Sequence, residues 1–283
     1  MSTTSPMQAS RLQQTLKYIF LGIFAVPWVA VPLWMLLVNS FKTEGESSVL
    51  SLALPTEWAA VENYTKVFTE GNYFVGLGNS LLIAIPVVVV VLILGSMAAW
   101  AYARSNAMGL RVTFFISAMS IMLPPAIIPT IFILTKIGLQ GTTWGYMLVL
   151  TATKVGVIIF LAVGFVRTLP TDYEEAAQLD GAGRLRTYWH VILPLMRPVL
   201  FTGAVMLVIG VWNDFLFALF LLAGKANATL PLTLYSFALA PTGAVRWNLV
   251  FASVVMTSIP LFIAYVVLQR RVLSGLTEGG TTG

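Results

Sequence analysis

Six long apolar segments constrain the fold of this chain more than any other feature of its sequence. They cover residues 18–38, 79–102, 112–135, 144–166, 198–222 and 249–269. Each is long enough to cross about 30 Å of hydrocarbon as an α-helix, which takes about 20 residues. Continuous apolar runs favour helices over a membrane barrel, whose strands alternate apolar and polar residues. The sequence therefore predicts an all-α membrane protein with six transmembrane helices.

The composition excludes several classes of function. With 58% hydrophobic and 10% charged residues, the chain has too little polar surface for a soluble domain. It has no cysteine and a single histidine, His190, so thiol chemistry and a histidine metal site are not expected. The net charge of +5 is typical of membrane topology and does not indicate a nucleic-acid partner.

Lysine and arginine give the predicted orientation, because cytoplasmic loops are rich in both. Ten of them lie on one side, at Arg11, Lys17, Arg104, Arg111, Arg167, Arg184, Arg186, Arg197, Arg270 and Arg271, and five lie on the other. We therefore expect both termini to be cytoplasmic. The predicted organisation is a cytoplasmic tail over 1–17, a six-helix transmembrane domain over 18–272 and a cytoplasmic tail over 273–283.

The cytoplasmic loop over residues 167–197 is a polar, mixed-charge segment in an otherwise apolar chain. Thr171 and Glu174 have the spacing of a capping box, which predicts a helix from about residue 172. Gly181 should end that helix, since glycine tolerates positive φ. A basic second helix should follow and bend toward the membrane at Pro194. The pattern favours a helix–hinge–helix that docks a soluble partner; an ordinary solvated loop is the alternative.

The same loop contains Glu175-Ala176-Ala177, then Gly181, then Val191-Ile192-Leu193-Pro194. This pattern resembles the cytoplasmic loop of ABC importer permeases, although that family usually has isoleucine where Val191 stands. Motifs elsewhere are similar to carbohydrate-uptake permeases related to the maltose-importer G subunit: Asn39-Ser40-Phe41-Lys42, Glu62-Asn63-Tyr64, Asn79-Ser80-Leu81, Ala101-Tyr102-Ala103-Arg104 and Trp212-Asn213-Asp214-Phe215. The resemblance covers most of residues 18–280, although the usual final lysine is missing after Gly280.

This resemblance implies a type I ABC importer permease fold with a cytoplasmic coupling helix, in a prokaryotic cytoplasmic membrane. It implies three kinds of partner: a second homologous permease, two copies of an ATP-binding subunit and an extracytoplasmic sugar-binding protein. The implied ATPase-coupling residues are Glu174, Glu175, Ala176, Ala177, Asp180, Gly181 and Arg184, and the implied ATPase contact of the tail is Gly275, Leu276 and Thr277.

The sequence contains no P-loop and no recognisable catalytic set, so the chain has no predicted catalytic residue or cofactor of its own. ATP and Mg²⁺ would be used by a separate subunit. The predicted cargo is a sugar or oligosaccharide, with a sugar alcohol or a glycerol-phosphate-type substrate as the alternative. A self-contained secondary transporter is disfavoured because the chain lacks inverted repeats and has few intramembrane ionisable groups.

Two ionisable residues lie inside the predicted spans. Lys154 and Asp214 are about 15 Å and about 12 Å from the outer ends of their helices at about 1.5 Å per residue. Such groups are functional-site candidates, and we hypothesise that they pair or share a water-filled cavity; separate polar contacts are the alternative. Trp212 and Asn213 adjoin Asp214, and an aromatic ring beside polar groups suits a sugar. These four residues are the predicted translocation pathway, unless their role is helix packing.

Overall fold

The computed structural model of the protein describes residues 11–124, 126–238 and 245–278. This part of the chain is built of helices joined by short connections. In chain order they are α1 Arg11–Ser40, α2 Glu44–Ser47, α3 Ala60–Thr69, α4 Tyr73–Arg104, α5 Met108–Met119, α6 Ile127–Lys136, α7 Thr143–Thr168, α8 Asp172–Leu179, α9 Arg184–Leu195, α10 Arg197–Trp212, α11 Leu216–Leu221, α12 Leu230–Ala238 and α13 Trp247–Glu278. A π-helical turn, Tyr188–Ile192, lies inside α9.

Among the described residues, four helical stretches are long and apolar enough to cross a membrane, and a fifth is added if the bent pair α9–α10 counts as one span. The four occupy Lys17–Ser40, Tyr73–Arg104, Thr143–Thr168 and Trp247–Val266. The prediction of an all-helical membrane fold is therefore confirmed at the level of helix type, length and composition.

The third predicted span differs from the expectation, since residues 112–135 do not form one helix. α5 ends at Met119 and α6 begins at Ile127, and each is too short alone to cross about 30 Å. The break contains Pro124, which has no amide hydrogen and disfavours helical backbone in the residue before it. Pro129 lies in the first turn of α6, where proline is tolerated. Pro125 lies outside the described residues.

The chain divides into two compact units, and the second consists of residues 72–233 with 257–283. Its core is formed where α4 packs along α7. A Cβ added at Gly95 in α4 would lie 2.8 Å from side-chain atoms of Ile158 in α7, so glycine lets the two backbones approach. Such small residues drive helix association in lipid, where apolar burial alone contributes little.

The first unit, residues 1–71 with 234–256, is held together by buried polar contacts. The Asn63 amide in α3 donates to the carbonyls of Ser40 and Lys42 at 2.9 and 2.8 Å. The Asn248 amide, at the start of α13, donates to the Asn63 side-chain oxygen at 2.8 Å. Asn63 therefore joins the end of α1 to the start of α13, which gives a structural role to two of the recognised motifs.

Candidate coupling element and membrane-embedded helix break

α8 begins at Asp172, which confirms the predicted start of the helix. The predicted capping box is wrong, however. The Thr171 side chain makes no capping hydrogen bond, and its backbone is helical at φ −74° and ψ −20°. Its carbonyl instead accepts the amides of Glu174 and Glu175 at 2.8 and 3.0 Å. The Glu174 carboxylate accepts hydrogen bonds from other side chains, so it does not bind the Thr171 amide as a capping box requires.

The end of α8 follows the prediction made from glycine. Gly181 has φ +79°, and a Cβ there would meet nothing within 4 Å, so backbone conformation alone favours glycine. The Ala182 amide donates to the Ala177 carbonyl at 2.9 Å, and the Gly181 amide donates to the Gln178 carbonyl at 3.0 Å. These two bonds form a Schellman motif, which fixes the angle between α8 and the chain that follows.

Glu174 anchors α8 to the last turns of α4. Its Oε1 accepts from Arg104 Nε at 2.7 Å, and its Oε2 accepts from Trp100 Nε1 at 3.0 Å. Arg104 also donates to the Leu169 carbonyl, just before α8, at 2.8 Å. The carboxylate is largely buried, with 10% of the side chain exposed, against 20% for Arg104. The ion pair is thus an internal attachment of the coupling loop.

A second attachment comes from Tyr188 in the π-helical turn, which is 1% exposed. Its hydroxyl lies 2.7 Å from the Ser96 hydroxyl in α4, and its ring lies 6.2 Å from the Trp100 ring. Sequence reasoning missed Ser96, Trp100, Arg104 and Tyr188 as functional residues. The available signal was an arginine at the cytoplasmic end of α4 with acidic residues in the facing loop.

The other predicted coupling residues lie on the exposed side of the same element. Glu175, Ala176, Asp180, Gly181 and Arg184 are exposed, while Ala177 is half-buried. Two large apolar side chains of α8 and α9 are also exposed, Leu179 at 89% and Leu185 at 65%. Exposed leucines rimmed by charges are typical of a protein docking surface. The structure thus separates Glu174, which faces inward, from Glu175, which faces outward.

α9 and α10 meet at an angle of 77°. The predicted bend at Pro194 therefore exists, although it falls just beyond that residue, at Met196. Pro198 lies in the first turn of α10, where its missing amide hydrogen costs nothing. Met196 and Ile192 are fully buried at the bend, so the change of direction is packed against the body of the second unit.

The fifth predicted span is broken after Trp212, and helical structure resumes at Leu216. Asp214 Oδ1 accepts from the Tyr146 hydroxyl at 2.8 Å and from the Ala218 amide at 3.3 Å. Asn213 donates to the Ile209 carbonyl one turn earlier at 2.9 Å. The Asp214 side chain thus satisfies a backbone amide that the break leaves without a helical partner. Irregular backbone at membrane depth is tolerated only inside protein or beside a cavity.

No ion pair within 4 Å joins Lys154 to Asp214, so direct pairing is not observed for these two described residues. Lys154 Nζ lies 3.7 Å from the position a Cβ would take at Gly210, one turn before Asp214. Trp212 is 5% exposed, and its indole nitrogen has no hydrogen-bond partner among the described residues. Asn213 is exposed.

The three predicted tail contacts, Gly275, Leu276 and Thr277, lie in the last turns of α13. Their side chains fall outside the described part of the chain.

Comparison with known proteins shows similarity along nearly the whole chain. Residues 7–276 match the family described as "Binding-protein-dependent transport system inner membrane component". The diacetylchitobiose uptake system permease protein NgcG of Streptomyces coelicolor is 31% identical, covering 89% of this chain and 83% of the relative. The trehalose/maltose transport system permease protein MalG of Thermococcus litoralis is 29% identical, covering 96% and 99%.

A chain of a bacterial ABC transporter that imports the acidic polysaccharide alginate has the same fold. The TM-score is 0.75 at 24% identity, and the alignment covers 95% of this chain and 99% of that one. The resemblance inferred from the motifs is therefore confirmed. The chain belongs to the family of binding-protein-dependent transport system inner membrane components.

Proposed function

We propose that this chain is the transmembrane permease subunit of an ABC importer that takes up a sugar or oligosaccharide delivered by an external binding protein. The observation that carries the proposal is the family match over residues 7–276, with relatives named for diacetylchitobiose and trehalose/maltose transport. The chain would form half of the translocation pathway, and a second, homologous permease would form the other half.

The proposed topology has six spans with both termini in the cytoplasm. The pair α5–α6 would form the third span and the pair α10–α11 the fifth, each interrupted by a break. The positive-inside distribution of lysine and arginine supports this orientation. The permease domain would then occupy 18–272, between cytoplasmic tails over 1–17 and 273–283, in a type I importer arrangement within a prokaryotic inner membrane.

The exposed side of α8–α9 is the proposed docking surface for the ATP-binding subunit. Glu175, Asp180 and Arg184 supply charge there, and Leu179 supplies apolar surface. Two copies of the partner would bind ATP and Mg²⁺, while this chain contributes no catalytic residue. The end of α13, with Gly275–Thr277, is proposed as a further contact with the same partner.

Glu174 would transmit the movement of the partner from inside the element. A docking helix can act as a lever only if it is rigidly attached to the body that it moves. The attachment here is the carboxylate held by Arg104 and Trp100 at 2.7 and 3.0 Å. Displacement of α8 would therefore pull on the cytoplasmic end of α4, a helix that packs along α7.

The helix break at residues 213–215 is the proposed contribution of this chain to the pathway. Broken helices near the bilayer midplane form substrate sites in other transporters. Here the break places the Asp214 carboxylate against the Tyr146 hydroxyl and leaves Asn213 exposed, and Lys154 lies beside Gly210, one turn earlier. The Asn213 amide and the Asp214 carboxylate would offer donors and acceptors to the hydroxyl edges of a sugar, whereas the buried Trp212 ring would support the break from inside the protein.

The experiment is uptake by the assembled transporter in proteoliposomes. The chain is co-expressed with its second permease, ATP-binding subunit and binding protein, and labelled diacetylchitobiose, trehalose and maltose are each tested with internal ATP. We expect binding-protein-dependent uptake of at least one sugar and no uptake when the ATP-binding subunit is omitted. Uptake by this chain alone, without ATP, would identify a secondary transporter and refute the proposal.

A further inference from the structure

The connection between α2 and α3 contains an apolar segment whose position is unusual for an exposed loop. Residues Val49–Leu54 read Val-Leu-Ser-Leu-Ala-Leu, and we refer to them as the apolar segment. Its four large side chains are exposed, at 72% for Val49, 41% for Leu50, 50% for Leu52 and 59% for Leu54. Four large apolar side chains within six residues form a continuous apolar surface. Such a surface is unfavourable in water and indicates contact with protein or lipid.

Three hydrogen bonds fix where the apolar segment lies along α1. Lys42 Nζ, just beyond α1, donates to the Ser51 hydroxyl at 2.7 Å. The side-chain amide of Asn39, in the last turn of α1, donates to the Ser51 carbonyl at 3.0 Å. Trp34 Nε1, further back in the helix, donates to the Leu52 carbonyl at 3.0 Å. The segment therefore runs back along α1, in the direction opposite to the helix.

This placement puts Leu52 beside the helix and not beyond its end. Trp34 lies six residues before Ser40, which is about 9 Å along the axis at about 1.5 Å per residue. Lys17–Ser40 is one of the stretches suited to cross the membrane. A segment that contacts Trp34 is therefore level with the apolar part of α1.

The chain then returns to the end of α1. The Thr56 amide donates to a Glu46 carboxylate oxygen at 3.1 Å, and the Ala59 amide donates to the Phe41 carbonyl at 2.8 Å. The Trp58 ring stacks on Phe41 at 5.7 Å and is 66% exposed. Tryptophan at this level is typical of the membrane–water interface.

We propose that the apolar segment lies in the membrane–water interface beside the end of α1, with its leucine side chains against acyl chains and its backbone amides at the level of the headgroups, where water reaches them. This is the outer interface in the proposed topology. The carbonyls of Ser51 and Leu52, which lie furthest along α1, accept hydrogen bonds from side chains of α1, as backbone groups that face lipid must. The segment thus anchors the first external connection to the membrane, independently of the cargo.

The test uses spin labels, because the chain has no cysteine and single labelled positions can be introduced without background. Leu52→Cys and Leu54→Cys report on the apolar segment in the assembled transporter in lipid nanodiscs. Val29→Cys, in α1 and 60% exposed, is the lipid reference, and Val61→Cys, in α3 and 84% exposed, is the aqueous reference. Collision of each label with oxygen and with a water-soluble nickel chelate measures its depth.

We expect both labels of the apolar segment to collide more with oxygen than with nickel, as the Val29→Cys label does. Nickel accessibility equal to that of Val61→Cys would mean that the segment lies in water, and would overturn the proposal. Low collision with both reagents would mean that protein, such as the second permease, covers the segment, and would also overturn it. Labelling of Val61→Cys by an impermeant thiol reagent in cells tests the topology separately from the depth.

Discussion

Glu174 and Glu175 are adjacent in α8 and carry the same charge, but only Glu174 is predicted to hold the coupling element in place. The Glu174 carboxylate accepts from Arg104 and Trp100, whereas Glu175 is exposed. Glu174→Gln keeps the size of the side chain and removes the charge. The amide has a single acceptor oxygen, so one of the two donors loses its partner and Arg104 loses its counterion. Glu175→Gln is the matched control.

The structure sets the expected magnitude. Removing one member of a buried ion pair costs about 3–5 kcal/mol. Glutamine still offers one neutral acceptor, and Arg104 keeps its bond of 2.8 Å to the Leu169 carbonyl, so we expect about 2–3 kcal/mol for Glu174→Gln. At about 1.4 kcal/mol per tenfold change, this corresponds to an increase of about 30- to 150-fold in the equilibrium constant for local unfolding of residues 172–187.

Hydrogen exchange measured by mass spectrometry on the purified complex reads this opening directly over residues 172–187. Glu174→Gln should accelerate exchange there and lower the number of sugars carried per ATP hydrolysed. Glu175→Gln, which removes neither bond, should leave exchange over these residues unchanged and act only on association with the ATP-binding subunit. If both variants exchange like the wild type, the carboxylate does not anchor the element and the lever mechanism is refuted. Co-purification of the subunits confirms that each variant is assembled.

Three further substitutions probe contacts elsewhere in the second unit. Gly181→Val should cost more than about 1 kcal/mol because φ is +79° there, and should lower coupling, whereas Gly183→Ala should be neutral; equal uptake by both would contradict the hinge. Gly95→Ala should lower the melting temperature of the complex because its Cβ meets Ile158 at 2.8 Å, while Gly164→Ala, with nothing within 4 Å, should not. Tyr146→Phe should destabilise the complex by about 1.5–3 kcal/mol, since a partly buried carboxylate loses its donor; an unchanged melting temperature would show that the bond contributes nothing.

Local sequence signals predicted the coupling element well where its structure is determined locally. The start of α8 at Asp172 and its end before Gly181 depend on residues within a few positions. The capping box failed because a distant partner competes for Glu174: Arg104 lies 70 residues away in the chain. Sequence spacing carries no information on such a contact. A largely buried arginine binds a carboxylate more strongly than a neutral backbone amide does, so Glu174 binds Arg104.

Inside the membrane, spacing gives depth but not direction around the helix axis. Lys154 and Asp214 were matched by depth, yet Asp214 is bonded by Tyr146. Tyr146 lies eight residues before Lys154, which places both on one face of α7, so this tyrosine was available to sequence reasoning as a rival partner. The prolines of the third span indicate its interruption, but the break in the fifth span was harder to predict, because hydropathy averages over about 20 residues and conceals a short irregular stretch.

The contacts described for the second unit form a continuous physical connection from the docking surface to the helix break. Glu174 is bonded to the end of α4, Gly95 in α4 packs on Ile158 in α7, and Tyr146 in α7 is bonded to Asp214. Contiguity alone does not establish coupling. A double-mutant cycle decides the matter, with sugars carried per ATP as the readout for Glu174→Gln, Tyr146→Phe and the double variant.

If movement of α8 reaches residues 213–215 through these contacts, losing one contact already removes most of the coupling. Losing a second contact then has little further effect. The double variant should then carry sugar about as efficiently as the worse single variant, and the effects will be strongly non-additive. The Gly183→Ala substitution, which touches neither contact, should combine additively with each. Full additivity between Glu174→Gln and Tyr146→Phe would show that the two sites act independently, and movement of α8 would have to reach the pathway by another route.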